Sequence, residues 1–126
     1  MGCQKSAGVE YEEHLHKIAQ KNIEILALKP YCTSYKIDAR VFDSYESFDI
    51  YFMFNPFDDD IYKNVIDRIV SQNIIGSNNK TKYLICYGGA NIKAVVDSGY
   101  FELIKESVCP YRGNLFRVYK TINKLT

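Results

Sequence analysis

The sequence predicts an α/β fold, a mostly parallel sheet flanked by helices and closed by a C-terminal antiparallel hairpin. Three observations predict it. Short β-prone runs alternate with amphipathic stretches of helical period along most of the chain, and such alternation gives parallel strands joined by helical crossovers. The run Phe48-Asp49-Ile50-Tyr51-Phe52-Met53-Phe54 is almost wholly apolar, as expected of a parallel strand covered on both faces. The last two runs, Tyr100 to Val108 and Leu115 to Thr121, meet across Pro110-Tyr111-Arg112-Gly113, a connection short enough for a hairpin.

The elements follow in order. A strand stub ends at Gly8-Val9-Glu10. From Tyr11 to about Leu28, Leu15, Ile18, Ala19, Ile25 and Leu26 recur at three- and four-residue steps and predict a helix. Pro30 is expected to end it, because the residue before a proline is pushed out of the helical region. Thr33 to Ile37 is a β-prone run stopping at Asp38-Ala39, and a polar connection from Asp43 to Ser47 leads to the strand Phe48–Phe54, which halts at Asn55-Pro56. Ile61, Val65, Ile66, Ile69 and Val70 form a second amphipathic helix, closed by Gly76-Ser77-Asn78-Asn79. Lys82 to Tyr87 is a buried strand broken by Gly88-Gly89, and a short helix from about Asn91 to Ser98 ends at Gly99, a good C-cap residue.

At 126 residues, with nearly half of them apolar, the chain has the material of one globular domain spanning residues 1–126, though it is short for a complete α/β enzyme. The formal net charge is +1 and neither sign forms a long block, so there is no basic stripe of the kind that neutralises nucleic-acid phosphates. Asp58-Asp59-Asp60 could ligate a divalent cation, but carboxylates at the positive end of a helix dipole explain the run without one; no metal site is expected. Cys3, Cys32, Cys86 and Cys109 show neither a C-x-x-C pair nor metal-ligand spacing. A reduced, cytoplasmic protein follows from that usage, from the lack of an apolar membrane-spanning run and from the lack of an apolar export segment. Met1-Gly2-Cys3-Gln4-Lys5-Ser6 fits the N-myristoylation template, with Cys3 placed for a second acyl chain, but the pattern is short and an ordinary or non-native chain start accounts for it as well. His14 and His16, with Glu10, Glu12 and Glu13 nearby, point in different directions on a helix and do not readily share one ion. Cys86 has no base placed to activate it as a nucleophile.

Four motifs in succession carry a resemblance. The strand ending in Gly8-Val9-Glu10, the helix containing Ile18-Ala19-Gln20-Lys21-Asn22, the strand ending in Ile37-Asp38-Ala39 and the apolar strand ending in Phe54-Asn55-Pro56-Phe57 resemble the class I S-adenosylmethionine-dependent methyltransferases, a Rossmann-like fold. With the closing hairpin the resemblance runs from about Ala7 to Lys120. It implies S-adenosyl-L-methionine as cofactor, Glu10 as acceptor for the ribose hydroxyls, Asp38 as acceptor for the adenine amino group, and the backbone N–H of Ala39 as donor to the ring. It implies Asn55, Pro56 and Phe57 as the catalytic motif that positions a methyl acceptor, although the amino-group methyltransferases carry a second proline there, so the acceptor stays open. Methyl transfer of this kind depends on positioning rather than on a nucleophile.

One departure is large. Family members begin with a strand and a Gly-rich loop that approaches the cofactor, and no such motif precedes Glu10. By this resemblance the chain reads as N-terminally truncated or degenerate, with weak or absent cofactor binding. The strand it lacks would lie between the strand ending at Glu10 and the one ending at Asn55, so those two strands are expected to expose edges or to pair in a changed order. The alternative function is a non-catalytic binding or scaffolding module, with self-association or a partner chain engaging the exposed sheet edges.

Overall fold

In the computed structural model the described residues are 3–54, 58–76, 80–88, 92–110 and 114–122. They form two compact units, Met1–Phe42 and Asp43–Thr126. No helix among them is long and apolar enough to cross a membrane.

The first unit is a strand-helix-strand: β1 (Ser6–Glu10), α1 (Glu13–Ile25) and β2 (Cys32–Lys36). β1 and β2 pair in parallel, from Ser6 opposite Cys32 to Glu10 opposite Lys36. α1 starts where Glu12, in extended backbone, accepts the N–H of His14 on its own carboxylate at 3.3 Å, an acidic cap suited to the helix dipole. It ends at Ile25 rather than near Leu28, and Pro30 is not what stops it. Ala27 takes the left-handed conformation, φ 53°. The Leu28 N–H then donates to the Ile23 carbonyl at 2.9 Å and the Ala27 N–H to Glu24 at 3.1 Å, a Schellman closure that satisfies the last carbonyls. The apolar stripe of α1 is present, but none of its residues is buried; Leu15 and Ile18 remain nearly half exposed.

The second unit holds a short 3-10 turn (Tyr45–Ser47), β3 (Ile50–Phe54), α2 (Asp59–Gly76), β4 (Tyr83–Tyr87), α3 (Ile92–Asp97), β5 (Phe101–Val108) and β6 (Leu115–Thr121). Its sheet runs β3-β4-β6-β5. β3 and β4 are parallel, whereas β6 is antiparallel to both β4 and β5. The C-terminal hairpin is therefore present, with the turn at residues 111–113 outside the described set. The expectation of one mostly parallel sheet is corrected: the strands divide into a two-stranded parallel sheet and a mixed four-stranded one. The reason is connectivity. Each unit contains one helical crossover that yields a parallel pair, and β6 folds back from β5 to lie against β4, which makes both of its own pairings antiparallel.

The core of this unit lies on one face of the sheet. Tyr51 and Met53 of β3, Leu84 and Cys86 of β4 and Tyr119 of β6 are buried, together with Tyr62, Val65, Ile66 and Ile69 of α2 and Val95 of α3. The cap of α2 is Asp58, whose Oδ1 accepts the Ile61 N–H at 3.1 Å. Gly99, φ 65°, follows α3 in the left-handed conformation foreseen for it. The expectation for β3 is corrected as well: it is covered on one face only, with Ile50, Phe52 and Phe54 more than half exposed. An unbroken apolar run has no period by which to tell a two-sided strand from a one-sided one.

β1 and β3 share a further property. Among the described residues β1 pairs only with β2 and β3 only with β4, so each keeps one edge without a strand partner.

Candidate functional site

Because β1 and β2 are parallel, their carboxyl ends share one margin of the sheet, the place where open α/β sheets bind ligands. Glu10 is the last residue of β1, and its carbonyl accepts the Ile37 N–H at 3.2 Å. Asp38 follows directly from Ile37. The structure thus brings Glu10, Asp38 and Ala39 to the same margin, as their spacing after two strands requires.

Their chemistry differs. The Glu10 carboxylate accepts the Glu12 N–H on Oε1 at 3.0 Å, which orders the turn into α1. A carboxylate offers about four acceptor positions, so capacity remains for hydroxyl donors. Asp38 is more committed. Its Oδ1 accepts the Arg40 backbone N–H at 2.8 Å and the Arg40 Nε–H at 3.0 Å, and its Oδ2 accepts Arg40 Nη2–H at 2.6 Å. The Arg40 side chain first, and the Arg40 backbone N–H second, hold the Asp38 carboxyl below the usual carboxylate range. Ala39 between them is buried.

The sign of the linkage is fixed by that depression. A carboxyl lowered in the folded state contributes stability that is present above its unfolded pKa and is lost as pH falls through the folded value. Arg40→Ala is expected to move the Asp38 titration upward, toward but not fully to the ordinary range, because the backbone donor stays. NMR titration of the Asp38 carboxyl checks it; an unchanged midpoint would show that the guanidinium contact is not populated in solution.

Asn55, Pro56 and Phe57, the predicted catalytic motif, lie outside the described residues, between the end of β3 and Asp58. So do Met1-Gly2 of the acylation template and Gly89. The remaining sequence candidates have structural roles. Asp58 caps α2, and among the described residues no three His, Cys, Asp or Glu side chains are grouped to hold a metal. His16 Nδ1 lies 2.9 Å from Ser34 Oγ, a link between α1 and β2. The Cys86 thiol is buried with its Sγ 2.9 Å from the Tyr62 hydroxyl, and burial pushes both groups up, the reverse of what an activated thiol needs.

Sequence reasoning missed Arg40, although Asp-x-Arg in a turn is a readable signal. It also missed Lys82, which is 1% exposed and donates from Nζ to the carbonyls of Glu46 at 2.8 Å and Phe48 at 2.6 Å. A cavity of about 360 Å³ in the first unit, bordered by Ile23, Glu24, Lys29 and Thr33, lies where β2 begins, at the other end of that strand from Asp38.

No family profile matches the chain, and no curated protein sequence matches it. Solved structures do. The fold is similar to that of a candidate methylase from Haemophilus influenzae, with a TM-score of 0.61 and 16% identity over 94% of this chain and 73% of that one. It is similar to a candidate tRNA (m1A22) methyltransferase from Streptococcus pneumoniae, with a TM-score of 0.65 and 17% identity over 98% of this chain and 56% of the other. It is also similar to the N-methyltransferase NodS of Bradyrhizobium japonicum, with a TM-score of 0.55 and 10% identity over 94% and 85% of the two chains. The chain therefore has a methyltransferase-like α/β fold, and it spans little more than half of the Streptococcus pneumoniae protein.

Proposed function

We propose that this is a methyltransferase-like protein that binds the adenosine end of S-adenosyl-L-methionine at the carboxyl ends of β1 and β2. The observation that carries the reading is the placement of Glu10 and Asp38 on one margin of a parallel pair, within a fold shared with methyltransferases. Glu10 would accept from the ribose hydroxyls through its remaining acceptor positions, and the fit there is good. Asp38 would accept from the adenine amino group only by yielding part of its contact with Arg40. The cofactor, when bound, supplies an electrophilic methyl group on a sulfonium. Held by its adenosine end alone, the cofactor is expected to bind these residues weakly. The methyl acceptor and the contribution of Asn55, Pro56 and Phe57 belong to the same proposal. A cytoplasmic location does too, supported by four cysteines that are all free.

Isothermal titration with S-adenosylhomocysteine tests it. Saturable binding is expected, weakened about tenfold or more by Glu10→Ala, the loss of hydrogen bonds to a charged acceptor. Asp38→Ala should weaken it as well, while Arg40→Ala should strengthen it by freeing the Asp38 carboxylate. No binding by a chain shown to be folded would overturn the reading. It would leave the second one, a binding module without catalysis, which rests on the open edges of β1 and β3.

A further inference from the structure

Arg117 has more hydrogen-bonding capacity than its neighbours use. It stands in a row that crosses the sheet of the second unit, from Met53 of β3 through Cys86 of β4 and Arg117 of β6 to Glu106 of β5. The row lies one residue short of the carboxyl ends of β3 and β4, the margin at which open α/β sheets bind ligands. Arg117 is on the buried face of the sheet with Cys86 and Tyr119, and its side chain is 7% exposed. A guanidinium carries five N–H donors. Among the described residues Arg117 uses one of them, Nε–H, which donates to Glu106 Oε2 at 2.8 Å. Arg40 shows the fuller alternative, with Nε and Nη2 both donating to the Asp38 carboxylate. The two terminal nitrogens of Arg117 thus have no acceptor among the described residues. Asn73 Oδ1 is the one side-chain polar atom among them that is sealed from solvent without a partner, so the terminal nitrogens of Arg117 reach solvent through a narrow opening.

We infer that Arg117 binds a carboxylate group of a small molecule, taken end-on by its two terminal nitrogens. The end of a guanidinium presents two parallel N–H groups spaced for the two oxygens of one carboxylate. Glu106, by holding Nε, fixes the plane of the group and leaves that end unused. The surrounding charges select a single negative charge over a double one. Cys86 and Tyr119 on the same face are pushed up by burial and stay protonated. So does Tyr62 of α2, whose hydroxyl lies 2.9 Å from Cys86 Sγ. Glu106, 46% exposed, supplies the one negative charge paired with Arg117. A carboxylate adds one more, whereas a phosphate dianion adds two in a place with little water to solvate them. A flat carboxylate also suits a narrow opening better than a tetrahedral group does. All of these residues belong to the unit Asp43–Thr126, and the inference rests on no part of the cofactor reading.

The experiment is an NMR titration of the full chain with sodium acetate and, separately, with inorganic phosphate, from about 1 to about 100 mM, the range for one weakly held anion. Sodium chloride keeps the ionic strength constant, and a pH of about 7.5 keeps phosphate largely a dianion. The backbone amides of Cys86, Glu106 and residue 117 are followed. Acetate should shift them to saturation, and phosphate should bind more weakly. Glu106→Gln removes the neighbouring negative charge while keeping an acceptor for Nε, at a side chain exposed enough to leave the fold intact; acetate should then bind about fivefold tighter. Arg117→Lys keeps the charge without the two-pronged end, and saturation should be lost. Shifts that stay linear in acetate overturn the inference. So does a Glu106→Gln chain that binds acetate no tighter than the wild type, a result that is decisive even where Arg117→Lys does not fold. A folded Arg117→Lys chain that binds acetate as the wild type does also overturns it, and tighter binding of phosphate than of acetate overturns the assignment to a carboxylate.

Discussion

Replacing Lys82 with Ala is expected to cost about 2–4 kcal/mol of folding stability, from the loss of charged hydrogen bonds to two carbonyls and from the space its buried stem leaves. The side chain is 1% exposed, and its ammonium donates to the Glu46 and Phe48 carbonyls, with the Asp49 carboxylate 3.7 Å away. Those carbonyls belong to the turn that delivers the chain into β3. Without Lys82, Glu46 and Phe48 lose their charge-assisted donor, and the four-carbon stem leaves a cavity between β4 and that turn. Lys82→Met retains the stem and separates the two contributions; a loss of about 2 kcal/mol is expected from the missing donor. Urea denaturation with an unchanged m-value measures both. A loss below about 1 kcal/mol for the alanine variant would show that the buried ammonium is not held as described. The Asp49 carboxyl provides a second readout. It lies below the usual carboxylate range because of Lys80 first, with Lys82 a later contribution. Its stabilising effect is present at neutral pH and lost as pH falls through the depressed value. The Asp49 titration should therefore move further in Lys80→Ala than in Lys82→Met.

Lys82 illustrates what the sequence did not disclose. A lysine at the start of an apolar strand carries no local sign of its partners, because the carbonyls that bury it come from residues 46 and 48 and meet it only through the parallel pairing of β3 with β4. Short-range signals were more legible. The stripe Ile61-Val65-Ile66-Ile69 marked the buried face of α2, Gly99 marked the end of α3, and the hairpin of β5 and β6 followed from one tight connection. Glu10 and Asp38 reached a common margin because two strands of equal length run parallel from paired starts. Less legible was the end of α1, where Ala27 takes a conformation that local rules reserve for glycine. The insertion of β6 between β4 and β5 was hidden too, since strand order is set by contacts distant in sequence. The turn that commits Asp38 to Arg40 spans two residues, below the reach of a periodicity argument.

A matched pair of truncations on the two faces of the same sheet should differ by several kcal/mol. Leu84 is 0% exposed at the centre of the pairing between β3, β4 and β6, and Leu84→Ala is expected to cost about 2–5 kcal/mol, the sum of lost transfer energy and the cavity left behind. Phe52, one strand away, is 62% exposed, and Phe52→Ala should change stability by less than about 0.5 kcal/mol, measured at dilution so that copies of the chain are separate. The contrast is informative because the sequence predicts the opposite for Phe52: a strand as apolar as Ile50–Phe54 reads as covered on both faces. Comparable losses from both substitutions would mean that the outer face of β3 is packed in solution and that the one-sided core is wrong. The expected asymmetry would instead locate the stability of this unit on the face shared by Tyr51, Met53, Leu84, Ile66 and Tyr119. Ile50, Phe52 and Phe54 would then be apolar without supporting the fold of the single chain.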